Sequence, residues 1–248
     1  MESPLLWIVL AVCANGLVAL TGGLIPLETL HRRLSVVLAF GAGTLIAVAW
    51  LDLIPEAAEL AAPAGTGIGT ICALALSGFV AFYLIEQFLG MHSAGQHGHR
   101  HGLVGPFLLA GDALHNFADG VAIAVAFLAG PSVGVATALA VVLHELPQEV
   151  SDFAILLAQG YSRARALTLL LLVQFTALLG ALGAYFLTSA LEGARAALMA
   201  IAAGSFLYIA AADLLPELLR RREGQSPISE TAAFLAGVGI IAIFSWLA

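Results

Sequence analysis

The sequence predicts an all-α polytopic membrane protein. Eight transmembrane helices are expected, with an inverted repeat relating spans 1–3 to spans 6–8 around a central hairpin of spans 4 and 5. Three observations carry this prediction. Of 248 residues, 61% are apolar and only 10% charged, against about 25% charge in an average soluble domain. The apolar residues fall into runs long enough to cross a bilayer, for which about 20 helical residues suffice. Gly, Pro or polar breaks separate these runs, and the alternating pattern of a membrane barrel is absent.

The spans run about 4–25, 34–57, 67–90, 103–129, 132–158, 163–190, 194–219 and 229–247, in one transmembrane domain covering 1–248. Span 1 opens on Met1-Glu2-Ser3-Pro4, which lacks the positive start of a cleaved signal. Span 2 follows Arg32 and Arg33 and ends at Asp52-Leu53-Ile54-Pro55-Glu56. Span 3 carries Glu86 near its end, as an interfacial charge. Residues 91–102 form a Gly/His loop with His92, His97, His99 and His101, a composition that is flexible and can hold metal loosely. Spans 4 and 5 are joined by a short turn at Gly130-Pro131, so they lie antiparallel and adjacent. In span 5, Pro147 should kink the helix and free a carbonyl toward a bound ion or its waters. Glycines in the last three spans, including Gly180, Gly183, Gly237 and Gly239, suit close helix packing. Cys13 and Cys72 both lie in apolar runs and offer neither a disulfide framework nor a thiolate site.

Orientation follows from the cations. All nine are Arg, and eight of them (Arg32, Arg33, Arg100, Arg163, Arg165, Arg220, Arg221 and Arg222) fall in odd-numbered connections, against Arg195 alone in the others. The odd connections are therefore expected to be cytoplasmic, including the His-rich loop, with both termini periplasmic or extracellular. A bacterial inner membrane is the expected location. A formal charge of −7 without any Lys excludes the basic patch of a nucleic-acid binder.

The repeat is visible in two segments. Gly43-Thr44-Leu45 and Asp52-Leu53-Ile54-Pro55-Glu56 of span 2 echo Gly204-Ser205-Phe206 and Asp213-Leu214-Leu215-Pro216-Glu217 of span 7. The two spans run in opposite directions, and an inverted repeat with Pro-interrupted, polar helices is a signature of secondary transport.

Ionisable groups inside spans are costly and mark function. Span 4 carries Asp112, His115, Asn116 and Asp119; span 5 carries His144, Glu145, Gln148, Glu149 and Asp152. His115 with Asp119, His144 with Gln148, and Glu145 with Glu149 are each four residues apart, on one helix face. Two facing helices thus offer imidazoles, carboxylates and amides to one point. That mixture suits Zn²⁺, Fe²⁺ or Mn²⁺ better than Ca²⁺ or Mg²⁺, which need no imidazole. Along the path, Asp52 and Glu56 would collect cations at the outer mouth, and Asp213 and Glu217 would release them inside. Gln174, in span 6, could add an amide to the site.

The motifs His115-Asn116-Phe117-Ala118-Asp119-Gly120 and His144-Glu145-Leu146-Pro147-Gln148-Glu149 resemble H-N-x-x-D/E-G and H-E-x-P-H-E of the ZIP family of divalent-metal transporters. The resemblance covers essentially the whole chain. It implies uptake of zinc, or of Zn²⁺, Cd²⁺, Fe²⁺ and Mn²⁺, into the cytoplasm. It implies a primary site of His115, Asp119, His144 and Gln148, and a second site lined by Asn116, Glu145 and Gln174 and shared through Asp119 and Gln148. It also implies a homodimer, and movement of spans 1, 4, 5 and 6 against 2, 3, 7 and 8. The chain departs from the pattern at Gln148, where His or Glu is usual, and at Gln174, where some relatives have a carboxylate. Both departures weaken the case for two ions and for strict zinc selectivity.

Two other classes compete. His144-Glu145-Leu146-Pro147-Gln148 nearly spells the H-E-x-x-H of an intramembrane zinc protease, but Gln148 removes one of the two His ligands that chemistry needs. A metal-sensing membrane protein that does not transport would suit the His-rich loop but not the repeat. The sequence therefore favours a transporter over an enzyme.

Overall fold

The structure is a computed structural model that describes residues 3–20, 27–89, 104–190, 194–220 and 227–247. Among these residues every predicted run finds a helix. They are α1 (Pro4–Gly16), α2 (Leu27–Val48 continuing through Ala49–Leu53 and Ile54–Ala61), α3 (Ile68–Leu89), α4 (Val104–Ala129), α5 (Pro131–Ala158), α6 (Arg163–Ala190), α7 (Ala194–Tyr208 continuing through Ile209–Leu214 and Leu215–Arg220) and α8 (Pro227–Leu247). Six helices are long and apolar enough to cross a membrane, α2, α3, α4, α6, α7 and α8. The helix α1 has only 13 residues, and α5 carries Glu145, Glu149 and Asp152 within its length.

Three boundaries differ from expectation: α1 ends at Gly16 and not near 25, α2 runs on to Ala61 and not to 57, and α2 also begins early. Arg32 and Arg33, placed in a connection from sequence, lie inside α2. No Gly or Pro follows Pro26 until Gly41, and Arg and Leu are good helix formers, so the helix extends back to Leu27.

Turn chemistry sets the connections around the centre. Pro131 occupies the first turn of α5, where its missing N–H costs nothing. At the end of α5, Gly160 takes φ 86 and the Tyr161 N–H donates to the Leu156 carbonyl at 3.1 Å, closing a Schellman turn. The Ser162 hydroxyl then caps α6 by accepting from the Arg165 N–H at 3.3 Å. Arg195, the one Arg that the sequence places in an even-numbered connection, donates to the Leu128 carbonyl at 2.9 Å, satisfying the last turn of α4.

The helices pack in two groups. In one, α4 lies on α6 and α5, with α1 against all three; in the other, α2 lies on α8 and α3 on α7. The groups meet where α5 crosses α2 and α4 crosses α7. Apolar packing at this junction includes Leu45, Ile123, Val141, Met199 and Phe206, all fully buried.

Both D-L-x-P-E segments share one distortion. The turns Ala49–Leu53 and Ile209–Leu214 are π-helical, each just ahead of its proline. A helical proline leaves the carbonyl four residues back without a donor and crowds it, and the wider π turn relieves that crowding. In α2 the freed carbonyl belongs to Leu51, and the Ser245 hydroxyl of α8 donates to it at 3.4 Å.

Candidate metal centre

The central helices are clamped before any polar contact is made. Gly120 of α4 faces the Ala177 carbonyl of α6, and Gly180 of α6 faces the Phe117 carbonyl of α4, with no room for a Cβ at either glycine. Across the same seam the Thr176 hydroxyl donates to the Ala113 carbonyl at 2.7 Å. On the other side α5 is held against α2 at Gly41, where a Cβ would come within 3.2 Å of the His144 Cα. The carbonyl that Pro147 deprives of its donor is that of Leu143, and it faces Gly41 rather than an ion. The helix α5 runs on through Pro147, and this carbonyl lies at the close crossing with α2.

Four side chains converge in this frame. His115 and Asp119 from α4, with His144 and Glu145 from α5, are all buried and place one ligand atom each within 4.8 Å of all the others. His115 Nε2 lies 2.9 Å from His144 Nε2, 3.3 Å from Glu145 Oε1 and 3.6 Å from Asp119 Oδ2. His144 Nε2 lies 3.3 Å from Asp119 Oδ2 and 4.0 Å from Glu145 Oε1. Tetrahedral zinc, with bonds of about 2.0–2.2 Å, sets its nitrogen and oxygen ligands about 3.3–3.5 Å apart, and the five separations bracket that value. Both oxygens of Asp119 and Oε1 of Glu145 are buried and accept no hydrogen bond. Uncompensated buried carboxylates cost several kcal/mol each, and a cation at the centre of the four atoms removes that cost. The chemistry of the donor set therefore fits a divalent metal.

The surroundings orient these ligands. His144 Nδ1 donates to the Ala140 carbonyl at 3.1 Å, which leaves Nε2 with its lone pair toward the site. Phe82 of α3 stands 6.5 Å from the His115 ring, and Phe206 of α7 stands 6.0 Å from the His144 ring, centroid to centroid. The site thus has apolar walls from the second helix group.

The remaining predicted residues take other places. The Gln148 amide donates to Asp112 Oδ1 at 3.4 Å, and Glu145, expected at a second site, joins His115, Asp119 and His144. Asn116 donates to the Asp112 carbonyl at 3.2 Å and to Asp112 Oδ1 at 2.9 Å. The Gln174 amide donates to Glu145 Oε2 at 3.1 Å and to Glu149 Oε1 at 2.5 Å. Asp152 is buried and within electrostatic reach of Glu149, Glu145 and Asp213. Asp52 is buried, Glu56 and Glu217 are half-buried, and Asp213 is exposed. Gly180 and Gly237 make the close approaches expected of them, whereas Gly183 and Gly239 face open space. His92, His97, His99 and His101 lie outside the described residues.

Some residues here were not anticipated. Glu86, expected as an interfacial charge, is buried and accepts a hydrogen bond from the Tyr208 hydroxyl. Asn15 of α1 is fully buried and donates to Gln174 Oε1 at 3.5 Å. An amide in an otherwise apolar span was the available signal for Asn15. Nothing in sequence spacing pairs Tyr208 with Glu86.

Comparison with known proteins assigns the family. The family model described as ZIP zinc transporter matches residues 91–245. Rat zinc transporter SLC39A7 is 29% identical over 90% of this chain and 68% of its own length. Zinc transporter ZIP13 of Pongo abelii is 32% identical over 86% of this chain and 67% of its own. Zinc transporter zipt-7.2 of Caenorhabditis elegans is 40% identical over 52% of this chain, but this covers only 29% of the nematode protein. These relatives are named as transporters and not as enzymes, which speaks against the protease reading. The chain is an integral membrane protein and belongs to the ZIP family.

Proposed function

We propose that this chain carries a divalent metal, zinc first, across its membrane into the cytoplasm. The ion would be held by His115, Asp119, His144 and Glu145 near the bilayer midplane. The observation that carries the reading is the convergence of four buried ligand atoms from α4 and α5. Two neutral nitrogens and two carboxylates offset the ion's charge without locking it in a thiolate cage. His115 is the twelfth residue of α4 and His144 the fourteenth of α5, which supports a mid-membrane position.

Cations would gather at Asp52 and Glu56 on the outer side, bind at the four ligands, and leave past Asp112 and Asp152 toward Asp213 and Glu217. The side assignment rests on the Arg distribution, with both termini outward. An eight-span inverted repeat is supported by the paired π turns and by reciprocal packing. Gly43 meets the Phe234 carbonyl and Gly237 the Phe40 carbonyl between α2 and α8, while Gly78 meets the Ile201 carbonyl and Gly204 the Ala75 carbonyl between α3 and α7. Exchange of α2 for α7 and of α3 for α8 maps one contact onto the other, as an inverted repeat requires. The two packing groups, with the ligands in one and the aromatic walls in the other, support a carrier in which one group moves against the other. A homodimer and transport of Cd²⁺, Fe²⁺ or Mn²⁺ belong to this proposal. The animal relatives lend no support to a bacterial membrane.

Uptake of ⁶⁵Zn into proteoliposomes tests the proposal. The parent protein should accumulate zinc, and unlabelled Cd²⁺, Fe²⁺ and Mn²⁺ added in turn should rank the alternatives. His115→Ala and His144→Ala should each cut uptake by at least an order of magnitude, because each removes a nitrogen ligand. Near-normal uptake by both variants at equal incorporation would overturn the assignment.

A further inference from the structure

We propose that the carboxamide of Gln174 occupies the position of a second cation, so that the chain holds one ion in its membrane core. This rests on the transport reading above and narrows it.

The Gln174 NH₂ group lies between two carboxylates. Gln174 Nε2 lies 3.1 Å from Glu145 Oε2 and 2.5 Å from Glu149 Oε1. An amide nitrogen carries two N–H donors, and each has a carboxylate to serve. Turning the amide to present its oxygen would set Oε1 against two carboxylate oxygens. It would also face Nε2 toward Asn15 Nδ2, donor against donor, where Oε1 now accepts at 3.5 Å. Both ends of the amide therefore fix the same orientation. All of these groups are buried, where an unsatisfied polar contact is most costly.

The consequence falls on Glu145. Its Oε1 belongs to the four-atom cluster, while its Oε2 is held by Gln174. A carboxylate tied in this way has one oxygen for one ion and no free oxygen to bridge two. The neighbouring amides act alike, since Asn116 and Gln148 both direct their NH₂ groups to Asp112. Among the described residues, no second group of three His, Cys, Asp or Glu ligand atoms converges. Gln174 is thus a positioning residue for Glu145 and a neutral substitute for a second charge, with Asn15 setting its orientation.

Zinc stoichiometry tests the inference directly. The full chain, with His92, His97, His99 and His101 changed to Ser, would be equilibrated with buffered zinc in detergent, and bound metal counted by mass spectrometry. One zinc per chain is expected, rising to two in Gln174→Glu, which replaces the donor by a carboxylate. Two ions in the parent, falling to one in Gln174→Ala, would overturn the inference and make Gln174 a ligand. A Gln174→Glu protein that folds yet still binds one ion would also overturn it. The parent count stands even where a variant does not fold. No bound zinc in the parent would instead sink the transport site on which the inference rests.

Discussion

At the scale of single residues, identity and role separate. His115, Asp119 and His144 stand where motif spacing puts them, because four-residue steps on an unbroken helix leave little freedom of direction. Gln148 and Glu145 do not follow so simply. They are three residues apart on α5, both near the ligand face, and nothing in the sequence decides which one joins His115 and His144. The decision comes from the hydrogen-bond partners: Asp112 takes the Gln148 amide, and Gln174 holds one oxygen of Glu145. Glu145→Ala should therefore weaken zinc binding by at least about tenfold, as loss of a charged ligand, while Gln148→Ala should weaken it far less. Isothermal titration in detergent, with the loop histidines replaced, reads both. A larger loss in Gln148→Ala than in Glu145→Ala would reverse the two roles.

At the scale of helices, apolar run length located the elements and glycines located their closest contacts. The helix α6 begins and ends at the residues the sequence predicted, since Ser162 caps its start after the Gly160 turn. The helix α2 begins earlier than the sequence predicts because Arg, with its long unbranched side chain, is compatible with a helix and does not end one. Close contacts were legible as small residues but not as partners. Gly180 packs on α4 and Gly183 on nothing, a difference set by which face α4 covers. Gly180→Val should push α6 away from α4 and disturb the seam beside His115, whereas Gly183→Val should be tolerated. Fluorescence-detected size exclusion after thermal challenge compares them, with a loss of monodisperse protein expected only for Gly180→Val. Equal behaviour of the two variants would show that the α4–α6 contact does not limit folding.

At the scale of the whole molecule, the all-α membrane class was readable from composition, and two D-L-x-P-E segments carry the proposed repeat. The sequence held no sign that each segment opens into a π turn. It also gave no sign that Asp52 is buried while Asp213 is exposed, an asymmetry that depends on how the two helix groups meet. Opposite sidedness of the repeat is open to labelling. Cys13 and Cys72 are free thiols and would first be replaced, after which single cysteines at positions 56 and 217 would be treated with an impermeant maleimide. Position 56 should react from the outer side of oriented vesicles and position 217 from the inner side. Reaction of both from one side would contradict the inverted repeat and the topology drawn from the arginines.

A single zinc among His115, Asp119, His144 and Glu145 would have two imidazole and two carboxylate neighbours. X-ray absorption at the zinc edge tests this coordination most directly, on the full chain with the four loop histidines changed to Ser. The spectrum should show about four nitrogen and oxygen neighbours at about 2.0–2.2 Å, with outer-shell scattering from two imidazoles that falls to one in His144→Ala. A shell without imidazole scattering, or one unchanged by His144→Ala, would contradict this coordination.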